Sequence, residues 1–464
     1  MGVVAQGQRR ASRLIPFRVE LSRNREIGRG AFSRSRDGHI ACYSHCKCRN
    51  PVVHIAYITE THPPEVNGVA LTAARAVAHL REAGHRVQLL RPRQPGEAAL
   101  HSADEWRTHG GPIPMYSDLR YGLARPRRLQ RAWSPRGAGA VAVADADADA
   151  DADASAFVPD LVHVATPGPL AWAALRAARA LRKPTSADFR TNFHAYSRHY
   201  GLGWLEPLVL GYLRRLHAMA DCNFVPTQAL ARDLSSLGFE RLAVVSRGVD
   251  AQRFAPQWRD ASLRAAWGAT DDAPVLLAVG RLAAEKNVGL VFEAYRRLRL
   301  RMPGARLVVV GDGPLRARLQ MQHPDVHFAG TQRDADLARH YASADLFLFA
   351  SLTDTFGNVT LEALASGLGV VAFDTAAAGQ HVQDGVSGWL AAPRPDATCD
   401  AAFHAALARA VDAPAWRAAS TLRRAAREAA LRADWPRVLQ RFEQRLCATA
   451  GAAATRGFPH AALA

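Results

Sequence analysis

Leu346–Asp374 reads LFLFASLTDTFGNVTLEALASGLGVVAFD: a short apolar strand, a polar loop, a helix and a second apolar strand. Leu346–Phe349 delivers the chain into the loop, a helix starts at about Asn358, and Gly367 and Gly369 break it before the next apolar run. Two carboxylates bracket the helix start, Asp354 in the loop and Glu362 about a turn inside the helix. A helix N-terminus favours anions through its unpaired N–H donors and its dipole. A carboxylate on each side can hold sugar or ribose hydroxyls, and hydroxyls plus a diphosphate describe a nucleotide sugar. The plainer alternative is a capped helix packed between two strands, with Glu362 solvated.

Outward from this unit the pattern repeats. From Pro274 onward, PVLLAVG, RLVVVG, VHFAG, DLFLFA and GVVAFD are five short apolar strands separated by helical stretches. Upstream, VVHIAYI from Val52 is a buried strand. The loop TETHPPEVNG follows it, then a helix over about Val69–Ala83, which Gly84 ends, and the strand RVQLL. Further strands are expected at Asp160–Val164, Ala187–Phe189, Asn223–Val225 and Ala243–Ser246. Two consecutive α/β runs of this kind predict two Rossmann-like, doubly wound domains facing across a cleft. The expected organisation is a disordered basic extension over 1–50, a first domain over 51–247 and a second over 248–425. A helix over 426–447 crosses back to the first domain, and 448–464 is a tail. The alternating Asp-Ala tract at 144–154 has no apolar face to bury and reads as a solvated loop.

Composition narrows the class. The chain has 464 residues, nearly half of them apolar, enough for two cores. No run of eighteen apolar residues spans a membrane, and the N-terminus shows no secretory h-region. The expected location is therefore cytoplasmic. The six cysteines (Cys42, Cys46, Cys48, Cys222, Cys399 and Cys447) form no paired framework, and the Cys42–Cys48 cluster fits no zinc spacing, so no metal site is expected. The formal net charge of +17 suggests nucleic acid, but its distribution does not. Residues 1–50 hold eleven basic and three acidic side chains, nearly half of the excess. Nucleic acid is therefore not the expected partner.

Asp354-Thr-Phe-Gly-x4-Glu362 resembles the acidic-x7-acidic signature of the family 4 glycosyltransferases, usually Glu-x-Phe-Gly-x4-Glu. SRGVDAQRFAP, at Ser246–Pro256, resembles the same family's Gly-Val-Asp-x3-Phe linker, and Trp435–Leu446 matches the position of its last helix. The resemblance covers about residues 52–447. It implies a GT-B-type fold and a retaining transfer of a hexose, mannose or glucose, from a GDP- or UDP-sugar, with no separate cofactor required.

The resemblance also assigns roles. Arg281 and Lys286, on the loop after Gly280, take the family's Arg and Lys that hold the donor diphosphate. Fixed cations there stabilise the charge that develops on the leaving group. Gly311 and Gly313 of VVVGDGP line the donor pocket, and Gly68 lies in the first domain's Gly-rich loop. Glu362 holds the ribose, and Asp354 with the Phe356, Gly357 and Asn358 backbone holds the sugar. In DFRTNFHAYSRHYG the family's His-Thr pair is replaced by Arg190-Thr191, and His194 lies one helical turn on, so either Arg190 or His194 faces the sugar. Attack on the front face, assisted by the leaving phosphate, is the mechanism implied.

Two departures stand out: Asp354 is one methylene shorter than the usual Glu, and Gly369 replaces a usual Pro, which is expected to loosen that turn. Bacterial lipid mannosyl- and glucosyltransferases of the family share Thr-Asp-Thr-Phe-Gly and Arg-Gly-Val-Asp, implying a membrane glycerolipid acceptor and a peripheral place on the inner membrane's cytoplasmic face. Arg125, Arg127, Arg128 and Arg131, with Trp133 at the interface, form a candidate contact to anionic headgroups, or else a solvated loop. A nucleotide-sugar epimerase of similar fold and a basic nucleic-acid-binding protein are the rival readings.

Overall fold

The structure is a computed structural model that describes residues 33–34, 40–41, 51–65, 68–113, 116–135, 157–190, 206–270, 273–394, 398–413 and 419–456. The chain divides into two units, 1–50 and 51–464. In the first, strands β1 (Ser33–Arg34) and β2 (Ile40–Ala41) pair antiparallel. The cysteine cluster at 42–48 and the Asp-Ala tract lie outside the described residues.

The second unit holds two sheets. The first is built from β3 (His54–Ile58), β4 (Arg86–Pro92), β5 (Leu100–His101), β6 (Glu105–Ile113), β7 (Tyr116–Leu123), β8 (Leu161–Val164), β9 (Thr185–Asp188), β10 (Cys222–Val225) and β11 (Leu242–Val244). Its path is β11-β10-β9-β8-β3-β4-β6-β5, with β7 also paired to β6. The strands from β11 to β6 are parallel, whereas β5 and β7 run antiparallel on the β6 edge. The second sheet holds β12 (Val275–Val279), β13 (Arg306–Val310), β14 (His327–Gly330), β15 (Leu346–Phe349), β16 (Gly369–Phe373) and β17 (Gly388–Ala391). All are parallel, in the order β14-β13-β12-β15-β16-β17. Counted by crossover this is 3-2-1-4-5-6, the doubly wound Rossmann order, and the parallel part of the first sheet follows the same order.

Sequence pattern explains most of this. Strands such as Val275–Val279 and Gly369–Phe373 are short continuous apolar runs, as expected where helices cover both faces of a parallel sheet. Two elements depart from expectation. The second sheet has six strands, not five, because Gly388–Ala391 (GWLA) is too short and too poor in β-branched residues to announce itself. The antiparallel β6–β7 pair is the other, since EWRTHGGPI carries polar side chains and two adjacent glycines that mask its strand character.

Trp133 is a correction. Instead of meeting a membrane, it closes the helix Pro126–Trp133 and is 1% exposed, packed in the core with Leu129, Trp106 and Leu170. Its indole N–H donates to Gln88 Oε1 at 3.2 Å. Gly369 is a second correction: a Cβ there would approach Leu422, Leu346 and Trp389 side chains at 2.9–3.1 Å, so the turn is tightly packed rather than loose.

The halves are joined twice. Val249, in the linker, forms a parallel bridge with Asp434, and Trp435 N–H donates to the Val249 carbonyl at 3.1 Å. The helix Trp435–Arg456 then lays Leu439, Phe442 and Leu446 into the core of the first half. Glu443 on that helix meets His79 Nε2 at 2.9 Å and His85 Nε2 at 3.4 Å.

Candidate active site

A cleft of about 850 Å³ opens between the two sheets, where loops leave the carboxyl ends of their strands. On the second-half wall, the chain leaves β12 at Gly280 and passes Arg281 to a short 3-10 turn, Ala284–Lys286. Lys286 Nζ lies 2.7 Å from Asp354 Oδ1, both side chains being less than a quarter exposed. Arg281 pairs with Glu285 at 3.2 Å and is half exposed to the cleft. Thr353 Oγ1 donates to the Glu285 carbonyl at 2.9 Å, tying the loop after β15 to the loop after β12.

That second loop ends at Gly357, whose φ of 79° is left-handed and caps the helix Asn358–Ala365. Phe356 beneath it is 1% exposed. Two oxygens in this wall are buried without a hydrogen-bond partner, Asp354 Oδ2 and Asn358 Oδ1. Buried polar atoms are normally satisfied. An unpaired carboxylate oxygen and an unpaired amide oxygen in one cleft wall, beside a lysine, suit the hydroxyl donors of a sugar.

The other sequence-assigned residues fall as follows. Gly68 starts the helix Gly68–Glu82 on the opposite wall, and a Cβ on it would lie 3.5 Å from Asn358 Nδ2, so two helix N-termini face one another across the cleft. Arg190 lines the cleft from the first half. Its guanidinium is held by Asp188 and donates to Tyr57 Oη at 3.2 Å, while its Nη1 is buried without a partner. Burial is the largest influence and works against its charge, but Asp188 and Tyr57 together outweigh it and hold the pKa above the ordinary arginine value. His194 lies outside the described residues.

Gly311 and Gly313 do not line the cleft. A Cβ on Gly311 would meet the Gly280 carbonyl at 1.9 Å and one on Gly313 the Leu282 carbonyl at 2.5 Å, so these glycines let the turn brace the Arg281 loop from behind. Leu282 N–H donates to Asp312 O at 2.9 Å in that brace. Glu362 also stands behind the lining. It accepts the Tyr341 hydroxyl at 2.9 Å, and burial pushes its pKa up, with that hydrogen bond and, after it, Arg253 and Arg75 pulling the other way more weakly.

Three cleft residues escaped the sequence reading. Arg247, in the quoted linker, sits 5.8 Å over the Phe356 ring and donates to the Arg190 carbonyl at 2.6 Å, joining the two walls. Its place in an Arg-Gly-Val-Asp linker was the available signal. Arg120 comes from β7 and donates to Gly110 O at 3.1 Å. Glu60 lies in the loop after β3.

Fold and cleft together define a glycosyltransferase of the two-Rossmann, GT-B type. Residues 66–253 match the sequence profile of Glycosyltransferase Family 4 and residues 273–411 that of Glycosyl transferases group 1. Over 328 residues the chain is 37% identical to a GDP-mannose-dependent alpha-mannosyltransferase of Mycobacterium tuberculosis, covering 69% of this chain and 79% of that one. It is 26% identical over 342 residues to the alpha-monoglucosyldiacylglycerol synthase of Streptococcus pneumoniae, covering 69% and 71%. Among solved structures, sucrose-phosphate synthase from Thermosynechococcus elongatus superposes with a TM-score of 0.62 over 86% of this chain and 99% of that one; at 19% identity, that likeness is one of fold. The chain belongs to glycosyltransferase family 4. It is a hexosyltransferase that uses a nucleotide-sugar donor.

Proposed function

We propose that the chain transfers mannose from GDP-mannose, with retention of configuration, to a hydroxyl of a membrane glycerolipid. The observation that carries the site is the pair of unpartnered buried oxygens, Asp354 Oδ2 and Asn358 Oδ1, beside Lys286. The mannose hydroxyls donate to these oxygens. Arg281 and Lys286 meet the diphosphate, and the N-terminus of the Asn358–Ala365 helix adds its dipole there. As the bond from the anomeric carbon to the phosphate breaks, charge grows on the leaving oxygen, where these cations act more strongly than on the ground state. Lys286 must then exchange part of its contact with Asp354 for the phosphate. Glu362 stands behind the lining, held by Tyr341, but is not fully buried, and we assign it the ribose hydroxyls at the edge of the cleft.

Mannose and GDP are favoured by the 37% identity to the mycobacterial mannosyltransferase, and a glycerolipid acceptor by the similarity to the diacylglycerol-directed synthase. Arg127, Arg128 and Arg131 are exposed on the Pro126–Trp133 helix, with Arg125 exposed just before it and exposed Leu123 preceding both. Such a surface suits an anionic membrane. Among the described residues no helix is long and apolar enough to cross a membrane, so the proposal places the chain at the membrane surface.

A donor-by-acceptor screen tests this: GDP-mannose, GDP-glucose, UDP-glucose and UDP-galactose against diacylglycerol vesicles, phosphatidylinositol vesicles and soluble sugars. Mannolipid formed from GDP-mannose alone is the expected result. Transfer from UDP-glucose exceeding that from GDP-mannose would overturn the donor, and transfer confined to soluble sugars would overturn the acceptor.

A further inference from the structure

Among the described residues, two carboxylates line the cleft, one on each wall. Asp354 has Lys286 beside it. Glu60, on the first-half wall, is 8% exposed and enters no ion pair among the described residues. Its carboxylate accepts the Leu170 N–H at 2.9 Å, at the N-terminal turn of the helix Pro169–Ala180, and the Gly122 N–H of β7. It rests on Gly168, where any Cβ would fall within 2.0 Å of its oxygens. Its own N–H donates to Thr166 Oγ1 at 2.7 Å. Backbone donors on two elements, the Pro169–Ala180 helix and β7, thus fix this carboxylate at the wall facing the donor loop, while Thr166 holds the Glu60 backbone.

The remaining polar groups described on that wall include Arg120, Arg190, Tyr121, Thr61 and Thr166. An arginine does not deprotonate in proteins, and a hydroxyl is a poor base near neutral pH. Among the described residues of that wall, Glu60 is therefore the one group suited to take a proton from an incoming hydroxyl.

On the basis of the transferase reading above, we propose that Glu60 is a catalytic residue that orients the acceptor hydroxyl and receives its proton during transfer. The acceptor oxygen forms its bond to the anomeric carbon. The bond from that carbon to the diphosphate breaks, with the electron pair leaving on the phosphate oxygen. The acceptor proton passes to a Glu60 oxygen and then to solvent. This route replaces proton transfer to the leaving phosphate. Burial supports it by raising the carboxyl from its ordinary 4.5 to about 8, with the Leu170 and Gly122 N–H groups pulling down, which places the base near working pH. The titratable and charged groups that share its surroundings are Tyr212 on the helix Glu206–His217, Arg120 and Tyr121 on β7, Arg190 after β9, Arg247 from the linker, and Arg281, Lys286 and Asp354 across the cleft. The plain alternative is a buried carboxylate that only caps the Pro169–Ala180 helix.

The test follows mannose transfer from GDP-mannose to diacylglycerol vesicles from pH 6 to 9.5 in the full chain, with Glu60→Gln and Glu60→Asp. Wild-type kcat should rise with pH along a limb near 8. In Glu60→Gln the limb should vanish and kcat should fall about 10²-fold or more, with the KM for GDP-mannose within about twofold. Glu60→Asp, which still ionises, should keep a limb at reduced kcat. If Glu60→Gln does not fold, by circular dichroism and GDP binding, the aspartate variant decides: a limb must persist, shifted in pH. Glu60→Gln with kcat within about threefold of wild type, or with the limb unchanged, overturns the proposal. No transfer by the wild type from any donor would instead break the underlying function.

Discussion

The two walls of the cleft share a strand order but are built on different principles. The second-half wall carries its polar groups on two contiguous loops, Gly280–Lys286 and Ser351–Asn358, which pair directly through Lys286 and Asp354. The first-half wall gathers single residues from distant segments: Glu60 after β3, Arg120 on β7, Arg190 after β9, and Arg247 reaching in from the linker. Behind Arg190 lies a buried polar cluster in which Asp188 also sits 3.6 Å from His163. One wall is a pair of motifs, and the other is an assembly that depends on the packing beneath it. Mutations should therefore separate them, local changes acting on chemistry in the second half and core changes acting on the whole first wall.

The largest expected effect tests that dependence. Trp133→Ala removes a buried indole from the first-half core and its bond to Gln88, and should cost about 3–5 kcal/mol in urea unfolding. Unchanged stability would return Trp133 to the surface and break the contrast. Lys286→Ala strikes the other wall and should leave unfolding almost unchanged, because the Lys286–Asp354 pair is partly exposed. It should lower kcat for transfer by about 10²–10³-fold, the scale of losing one preorganised charge stabiliser. A kcat within threefold of wild type would remove Lys286 from the donor site.

The same contrast explains what was legible in the sequence. Both Rossmann halves were readable because parallel strands buried on two faces show as apolar runs, as VLLAV, LVVV and GVVAF do. The Asp354–Glu362 segment and the Arg281–Lys286 loop were readable because their residues are neighbours in sequence. The first wall was not, since nothing local in TETHPP marks Glu60 as lying against Gly168, over a hundred residues away. Trp133 misled for a physical reason. PRRLQRAW looks like an interfacial segment when its charges are read alone, but Leu129 and Trp133, four residues apart, share the buried face of a short helix.

A smaller effect separates that helix's two faces. Arg127→Gln with Arg128→Gln leaves the buried face intact and should weaken binding to anionic vesicles about 30-fold, near 1 kcal/mol per cation. Cosedimentation measures it, and unchanged binding would assign the patch to solvent.

The smallest effect sets Glu60 of the first-half wall against His381, a partly buried group of the second half, through pH. Glu60, raised by burial to about 8, is protonated in the fold while the unfolded chain ionises above its ordinary 4.5. Its contribution is present at low pH and lost as pH rises from about 4.5 to 8. His381 packs edge-on to Phe356, and its Nε2 lies 3.1 Å from Ser246 Oγ; burial, aided by Arg432, lowers its pKa to about 4. The unfolded chain therefore binds the proton first, so its contribution is lost as pH falls from about 6.5 to 4. The two slopes oppose between 4.5 and 6.5, and above 6.5 Glu60 acts alone. Melting temperature should pass through a shallow maximum within the opposing window. Glu60→Gln should flatten the alkaline side and His381→Asn the acid side, each by a few degrees. An alkaline decline that persists in Glu60→Gln would show that the Glu60 carboxyl is not the buried, neutral group of the first wall.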